Sequence, residues 1–418
     1  MAITKIKITN FKSFKELELE LGNFNVLIGA NASGKSNFVL VFEFLRDIVH
    51  SGLVNAVSEI GGVKYLRNIT ISDSEKLTVE ITFSPTDEWI STVHEKEEPW
   101  IGKEIYELSY KFALIFKKKR PKFEIDEDRL IQKCNFYKLW ELGKKKEKIG
   151  QGDFIISNVG GEIKVELENP SNEKVEREKE KIRSSFFPSF LKAKLPNTLL
   201  LSDLFYLIKD DLFRDIAIYD FDPKLPKKAT PITGKAELEE DGSNLSIIVK
   251  NITENKDKKR KLFNLVKYLL PFVNNLDVEE VVDKFLLFIQ EIYFKEDQPL
   301  PAFLISDGTI NIIALIIALY FEQKPIIIIE EPERNIHPYL ISRVVEMMKE
   351  ASQNKQIIVT THNPEIVKYA GLDNILLVSR DKDGFSTISR PRDKEMVNSF
   401  LQNEIGIEDL YVQNLLGV

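Results

Sequence analysis

Apolar and polar residues alternate from residue 3 to residue 28, with Ile6 and Ile8 in IKITNF and Leu17, Leu19 and Leu21 in ELELELG. A period of two predicts half-buried strands, here hairpin strands leading into the apolar run Phe24 to Ile28. After a loop of small residues, Asn37 to about Val49 is apolar on nearly all sides, which predicts a helix packed inside its domain. Gly52, Gly61 and Gly62 punctuate the loop that follows. Alternation returns between Leu77 and about Phe123, clearest in KLTVEITFS and YELSYKFALIFKKKR, and again in GGEIKVELENP; these predict an antiparallel β lobe. The segment Glu173 to Arg183, EKVEREKEKIR, reads as a charged helix or a solvated linker and marks a first internal boundary.

Helical spacing dominates residues 185 to 300, in LLLSDLFYLIKDDLF, KLFNLVKYLLPFV and VEEVVDKFLLFIQEIYF, interrupted by a short strand pair around IAIYDFDP and KAELEE. No heptad pattern is sustained, so this insert is expected to be a compact lobe and not a long arm. After Pro301, ISDGTINIIALIIALYF joins a polar turn to a buried helix. Pro325 to Ile329 (PIIII) and QIIVTTHNPEIV each contain a short β-branched run of the kind buried on both faces of a parallel sheet. The hairpin-like ILLVSRDKDGFSTISR and a short helix close the chain.

Composition narrows the classes. A chain of 418 residues, 43% hydrophobic, is long enough for two or three domains and a sizeable core. The formal charge of −7 argues against a uniformly basic nucleic-acid binder. The basic runs Lys117 to Arg120, Lys144 to Lys146 and Lys258 to Lys261 suit either a phosphate backbone or plain solvation. A single cysteine, Cys134, excludes an intramolecular disulfide and a cysteine zinc site, in keeping with a reducing cytoplasm. The N-terminus MAITKIKITNF has no apolar leader segment, and no apolar run reaches the roughly 18 residues of a membrane span. The expectation is a cytoplasmic protein with no membrane partner.

The chemistry begins where the third strand ends. Gly29, Gly34, Lys35 and Ser36 fit the phosphate-loop pattern of glycine, four residues, glycine, lysine and a hydroxyl. Glycines let successive N–H groups face inward at a helix N-terminus, forming a concave ring of donors for a polyphosphate. Lys35 reaches the β and γ phosphates, and the Ser36 hydroxyl suits the Mg²⁺ that accompanies them. Asn31, Ser33 and Asn37 complete the GANASGKSN loop and are further candidate contacts to the nucleotide.

The other chemistry lies near the C-terminal end. Ser306, Asp307, Gly308 and Thr309 form a helix N-terminus suited to an anion, although a plain helix cap explains the turn equally well. The PIIII run ends in Glu330 and Glu331, at the strand end where doubly wound sheets place ligands. One carboxylate can hold a metal shell while the other orients or deprotonates a water. The next strand ends in Thr360, Thr361 and His362.

This order resembles the heads of ABC-type ATPases. Asn10 to Phe14 (NFKSF), GANASGKSN, ISDGT, IIIIEEPERNIHP and VTTHNP resemble in particular the soluble branch containing RecF, the SMC ATPases and the OLD-like AAA proteins of bacterial and archaeal defence systems. The motifs cover roughly residues 1 to 50 and 300 to 370. The resemblance implies an α/β P-loop ATPase head, a mixed sheet flanked by helices, with an antiparallel β lobe and a helical insert. Residues 1–170 would carry the P-loop and the β lobe, 171–300 the mostly helical insert, and 301–418 the signature-like turn, the Walker B acids and the switch histidine.

By the same resemblance, ATP and Mg²⁺ are the cofactors, bound through Gly34, Lys35 and Ser36, with Glu330 in the Walker B position on the metal. Glu331 takes the place of the catalytic glutamate, His362 that of the switch histidine, and Ser306 and Gly308 act in trans on the ATP of a second copy. Lys12 is expected to approach the nucleotide, while the metal-contacting glutamine has only Gln132 and Gln151 as candidates. The chain departs from the pattern in two places: residue 330 is glutamate and not aspartate, and ISDGT replaces the leucine-serine-glycine-glycine core of transporters. OLD proteins continue into a Toprim nuclease domain, whereas 56 residues follow His362 here, too few to hold one. The implied function is a nucleotide switch in a homodimer or higher oligomer, acting on DNA or with a nuclease or toxin partner, in phage defence. An ATP-binding scaffold with little turnover and a transporter motor subunit are the alternatives.

Overall fold

The N-terminal alternation forms strands β1 (Ala2–Phe11) and β2 (Phe14–Glu20), and the apolar run forms β3 (Phe24–Ile28), buried along its whole length. This is a computed structural model that describes residues 2–72, 74–84, 89–92, 99–117, 122–140, 145–186, 197–203, 212–294, 298–391 and 407–412. Helix α1 (Lys35–Ser51) follows, then β4 (Leu77–Ser84), β5 (Trp89–Thr92), β6 (Trp100–Lys117), β7 (Lys122–Trp140), β8 (Lys145–Val159) and β9 (Glu162–Glu168). The middle contributes β10 (Ile216–Tyr219), β11 (Thr230–Pro231), α2 (Leu245–Glu254), α3 (Lys256–Leu269), β12 (Val273–Val281), β13 (Lys284–Glu291) and β14 (Leu300–Pro301). The last part contains α4 (Asp307–Tyr320), β15 (Ile326–Glu330), α5 (Pro338–Ala351), β16 (Gln356–Thr361), α6 (Pro364–Ala370), β17 (Ile375–Arg380) and β18 (Ser386–Ser389).

The chain divides into two compact units, one of residues 1–22, 37–215 and 380–387, the other of 23–36, 216–379 and 388–418. The first is built on an antiparallel sheet in the order β2-β1-β4-β6-β7-β8-β9, with β5 paired to β6. The β lobe read from the alternation is therefore real, and β1 and β2 are part of it. The α1 side chains Phe38, Phe42 and Phe44 are fully buried. The Phe44 ring lies 6.0 Å from Phe11 and 6.4 Å from Phe112, so an aromatic chain links the helix to β1 and β6. Removing such rings from water is the main force holding the helix there.

A six-stranded sheet has the order β10-β15-β16-β3-β17-β18, and β10, β15, β16 and β3 lie wholly in the second unit. The pairs β10 with β15, β15 with β16, β16 with β3 and β3 with β17 are parallel. Ile326 to Ile329 and Ile357 to Val359 are fully buried, as the isoleucine-rich runs require of inner parallel strands. Helix α4 is apolar all round, with every residue from Thr309 to Leu319 buried.

The middle of the chain differs from its helical expectation. KLFNLVKYLL is helix α3, but VEEVVDKFLLFIQEIYF belongs to a hairpin, with β12 and β13 antiparallel and Val281 opposite Lys284. Its valines and aromatics sit at intervals compatible with a helix, but β-branched and aromatic residues fit a pleated surface better, and pairing decided the matter. IAIY forms β10 as expected, but it joins β15 in parallel and makes no pair with KAELEE, which forms no strand. LLLSDLF begins as the short 3₁₀ turn Leu200–Asp203, and residues 204–211 lie outside the described residues. EKVEREKEKIR is two short helices, Glu173–Arg177 and Lys179–Ser185. Among the described residues no helix is long and apolar enough to cross a membrane.

Because Phe44 is wholly buried between two other rings, Phe44→Ala is expected to lower the unfolding free energy by about 3–5 kcal/mol. Urea unfolding followed by circular dichroism measures this, and a loss under about 1 kcal/mol would contradict the packing described.

Candidate functional site

Parallel registry brings the chemistry to one edge. Ile28 of β3 stands beside Thr361 of β16, and Thr360 of β16 stands beside Glu330 of β15, so the three strands end at one level. The loop after Ile28, the acids after Ile329 and the histidine after Thr361 all emerge there. This is the carboxyl edge, where open parallel sheets carry their ligands.

The loop after β3 is held close to its surroundings. A Cβ on Gly29 would lie 2.2 Å from the Val378 carbonyl oxygen and 2.7 Å from Ser33 Oγ, so only glycine fits. Gly34 has φ 122, a conformation open to glycine and strained for other residues. Ser33 is buried under the loop, and Asn31 is exposed on it. Lys35 opens α1 and curls back, Nζ donating to the carbonyl oxygens of Gly29 at 2.7 Å and Ala30 at 3.1 Å. Burial lowers its ammonium below the usual value, while the carboxylates of Glu331, Glu330 and Glu333 pull it upward.

Ser36 Oγ donates to Glu330 Oε2 over a long 3.4 Å, joining the P-loop helix to the tip of β15. Burial raises the Glu330 carboxyl above its ordinary range, Asp220 and Glu331 add to this, and the Ser36 hydrogen bond opposes it. A hydroxyl and a carboxylate so close are hard oxygen donors of the kind Mg²⁺ takes when phosphates and water complete its shell. Among the described residues no group of three or more His, Cys, Asp or Glu is placed to hold a metal ion.

Glu331 stands in left-handed conformation, φ 45, with its N–H donating to Thr360 O at 2.9 Å. Its Oε1 lies 2.9 Å from His362 Nδ1, and its Oε2 accepts from Arg334 Nη2 at 3.2 Å. Burial pushes this carboxyl up, but the hydrogen bonds from Arg334 and His362 prevail and hold it below its ordinary value. Neighbouring acids at one edge thus have opposite protonation tendencies, set by their partners.

The polar turn is a helix cap as well as a candidate anion site. Ser306 Oγ accepts from Thr309 N at 3.2 Å, and Asp307 forms an ion pair with Lys227. A Cβ on Gly308 would lie 2.3 Å from the Asn335 carbonyl oxygen, and Asn311 Nδ2 donates to Arg334 O at 2.7 Å. The start of α4 is therefore packed against the loop that follows Glu331.

Some anticipated residues have other engagements. Asn37 donates from Nδ2 to Ser13 Oγ at 2.7 Å. Lys12 has φ 48 and its N–H donates to Leu66 O at 3.0 Å, while burial lowers its ammonium. Gln132 is buried in the β lobe and accepts from Lys103 Nζ at 2.7 Å. Gln151 donates to Asn135 Oδ1 at 2.9 Å. Three residues of the site escaped the sequence reading. Glu333 is buried and accepts from Thr361 Oγ1, which in turn accepts from Asn363 N at 2.9 Å; this fixes the turn that carries His362. Asp220 and Arg334 form the other side of the Glu331 environment. Asp220 carried a usable signal, since IAIYD ends an apolar run in an acid just as IIIIE does.

The chain is similar to several known proteins. The chain matches, over residues 24–368, the family described as "AAA domain, putative AbiEii toxin, Type IV TA system". The "Old nuclease" of Escherichia phage P2 is 22% identical over 419 residues, which include 96% of this chain; the chain spans 63% of that relative's length. Among solved structures, an SMC head bound to the C-winged helix domain of ScpA has a TM-score of 0.49 at 15% identity, covering 93% of this chain and 98% of that one. The SMC head domain from Thermotoga maritima has a TM-score of 0.43 at 14% identity, covering 93% of this chain and 99% of that one. With the matched segment running from the first residue of β3 to Lys368, the chain belongs to this AAA-domain family.

Proposed function

We propose that the protein binds ATP with Mg²⁺, hydrolyses it, and works as a nucleotide switch in a head-to-tail homodimer acting on DNA or with a nuclease or toxin partner. The observation that carries the catalytic part is the carboxylate of Glu331, held between His362 and Arg334 one residue beyond the acid bonded to Ser36. Gly34, Lys35 and Ser36 bind the phosphates. Lys35 Nζ, now spent on two loop carbonyls, turns to the β and γ phosphates when they arrive. Ser36 and Glu330 would hold Mg²⁺, which when bound supplies positive charge against the developing charge of the phosphoryl oxygens.

Glu331 orients a water for in-line attack on the γ-phosphorus and accepts its proton, and His362 senses the γ-phosphate. Ser306 and Gly308 serve the ATP of the second copy, through the capped N-terminus of α4. ATP thereby closes the dimer, and hydrolysis opens it. A nuclease partner is supported by the name of the phage P2 relative, and a toxin by the family's description.

Steady-state phosphate release and equilibrium binding of a fluorescent ATP analogue test the reading. Glu331→Gln is expected to lower kcat by about 10²–10⁴-fold while ATP-dependent association persists in analytical ultracentrifugation. A variant as fast as the unmodified protein would remove Glu331 from its role. Lys35→Ala is expected to weaken analogue binding at least tenfold, about 1.4 kcal/mol or more; unchanged affinity would show that the triphosphate lies elsewhere.

A further inference from the structure

We infer that Arg334 is a positioning residue for Glu331, with Asp220 as its anchor; this rests on the hydrolysis proposed above. Arg334 sits three positions after Glu331 in a turn closed by its own N–H donating to Glu331 O at 3.0 Å. Its guanidinium faces two carboxylates. Nη2 donates to Glu331 Oε2 at 3.2 Å, and Nη1 donates to Asp220 Oδ1 at 2.8 Å and to Phe221 O at 3.4 Å. Asp220 leaves β10 beside Glu330 leaving β15, because Tyr219 and Ile329 are registered neighbours in the parallel pair. The Asp220 N–H in turn donates to Glu240 O at 3.0 Å, so the anchor is itself tied down.

Glu331 needs such a holder. Its side chain is 28% exposed, so packing alone does not choose its rotamer, and ordering it costs side-chain entropy. With His362 Nδ1 against Oε1 and Arg334 Nη2 against Oε2, both ends of the carboxylate are fixed. Each oxygen keeps a lone pair for a water. Arginine suits the task because its planar fork offers several N–H groups in fixed directions and can bridge two carboxylates, whereas a lysine ammonium is a point charge without that geometry. The guanidinium also separates acids that would otherwise repel one another at the same sheet edge.

The test uses the full chain, Mg²⁺ and ATP, with phosphate release, binding of a fluorescent ATP analogue and thermal unfolding measured in parallel. Arg334→Ala is expected to lower kcat by about 10²-fold, the scale of misplacing a reacting group. KM and analogue affinity should stay within about twofold, because the ground-state phosphate contacts are untouched. Arg334→Lys should restore little of the rate, and Asp220→Asn should lower kcat by a smaller factor. Added to Glu331→Gln, Arg334→Ala should cause no further loss, since it acts through that carboxylate. If Arg334→Ala turns over within twofold of the unmodified protein, or faster, or if its effect multiplies that of Glu331→Gln, the inference is overturned. Unmodified protein that binds the analogue yet releases no phosphate would instead overturn the hydrolysis reading, and this inference with it.

Discussion

Everything at the candidate site depends on the backbone ladders joining β15, β16 and β3. Parallel pairing sets Glu330 beside Thr360 and Thr361 beside Ile28, so segments some three hundred residues apart in sequence end at one level. Because Ile326 to Ile329 and Ile357 to Val359 are buried on both faces, a slip of one residue in either ladder would exchange the side chains packed against the two layers, so close packing favours this register. Strand pairing and the packing of the buried isoleucines thus fix where Glu331 stands relative to Ser36. The Ser36 to Glu330 hydrogen bond, at 3.4 Å, spans the same aligned strand ends.

The same alignment creates an electrostatic problem. Glu330, Glu331, Glu333 and Asp220 crowd one region, and their mutual influence shows in the raised carboxyls of Glu330 and Glu333, for which burial is the leading cause. Glu331 is held below its usual value, and it is the acid in contact with both Arg334 and His362. Lys35 is drawn upward by three of these acids while burial works against its charge. These are the charges that the proposed Mg²⁺ and triphosphate would meet.

How much of this was legible in the sequence varies with the locality of the signal. The phosphate loop was readable because its glycines answer local demands: no Cβ fits at Gly29, and Gly34 needs its unusual φ. Buried strands with acidic or histidine tips were readable because an apolar run that stops abruptly at a charge is a one-dimensional pattern. The hairpin of β12 and β13 was not, since its spacing suits a helix and only cross-strand pairing tells the two apart. Asp220 ends an apolar run in an acid as Glu330 does, but its place beside the site comes only from pairing with β15, more than a hundred positions later. Arg334 has no spacing signal at all, and its place emerges only when two strand tips lie side by side.

The central claim is that one triphosphate is enclosed by the P-loop, the two strand-tip acids and the polar turn of a second copy. Its most direct test is an experimental structure with Mg²⁺ and a non-hydrolysable ATP analogue. The account predicts phosphates against Lys35 and Ser36, Glu331 within one water of the γ-phosphate, and Ser306 of a second copy closing over it. A triphosphate bound away from Lys35, or a γ-phosphate beyond the reach of Glu331, would contradict it.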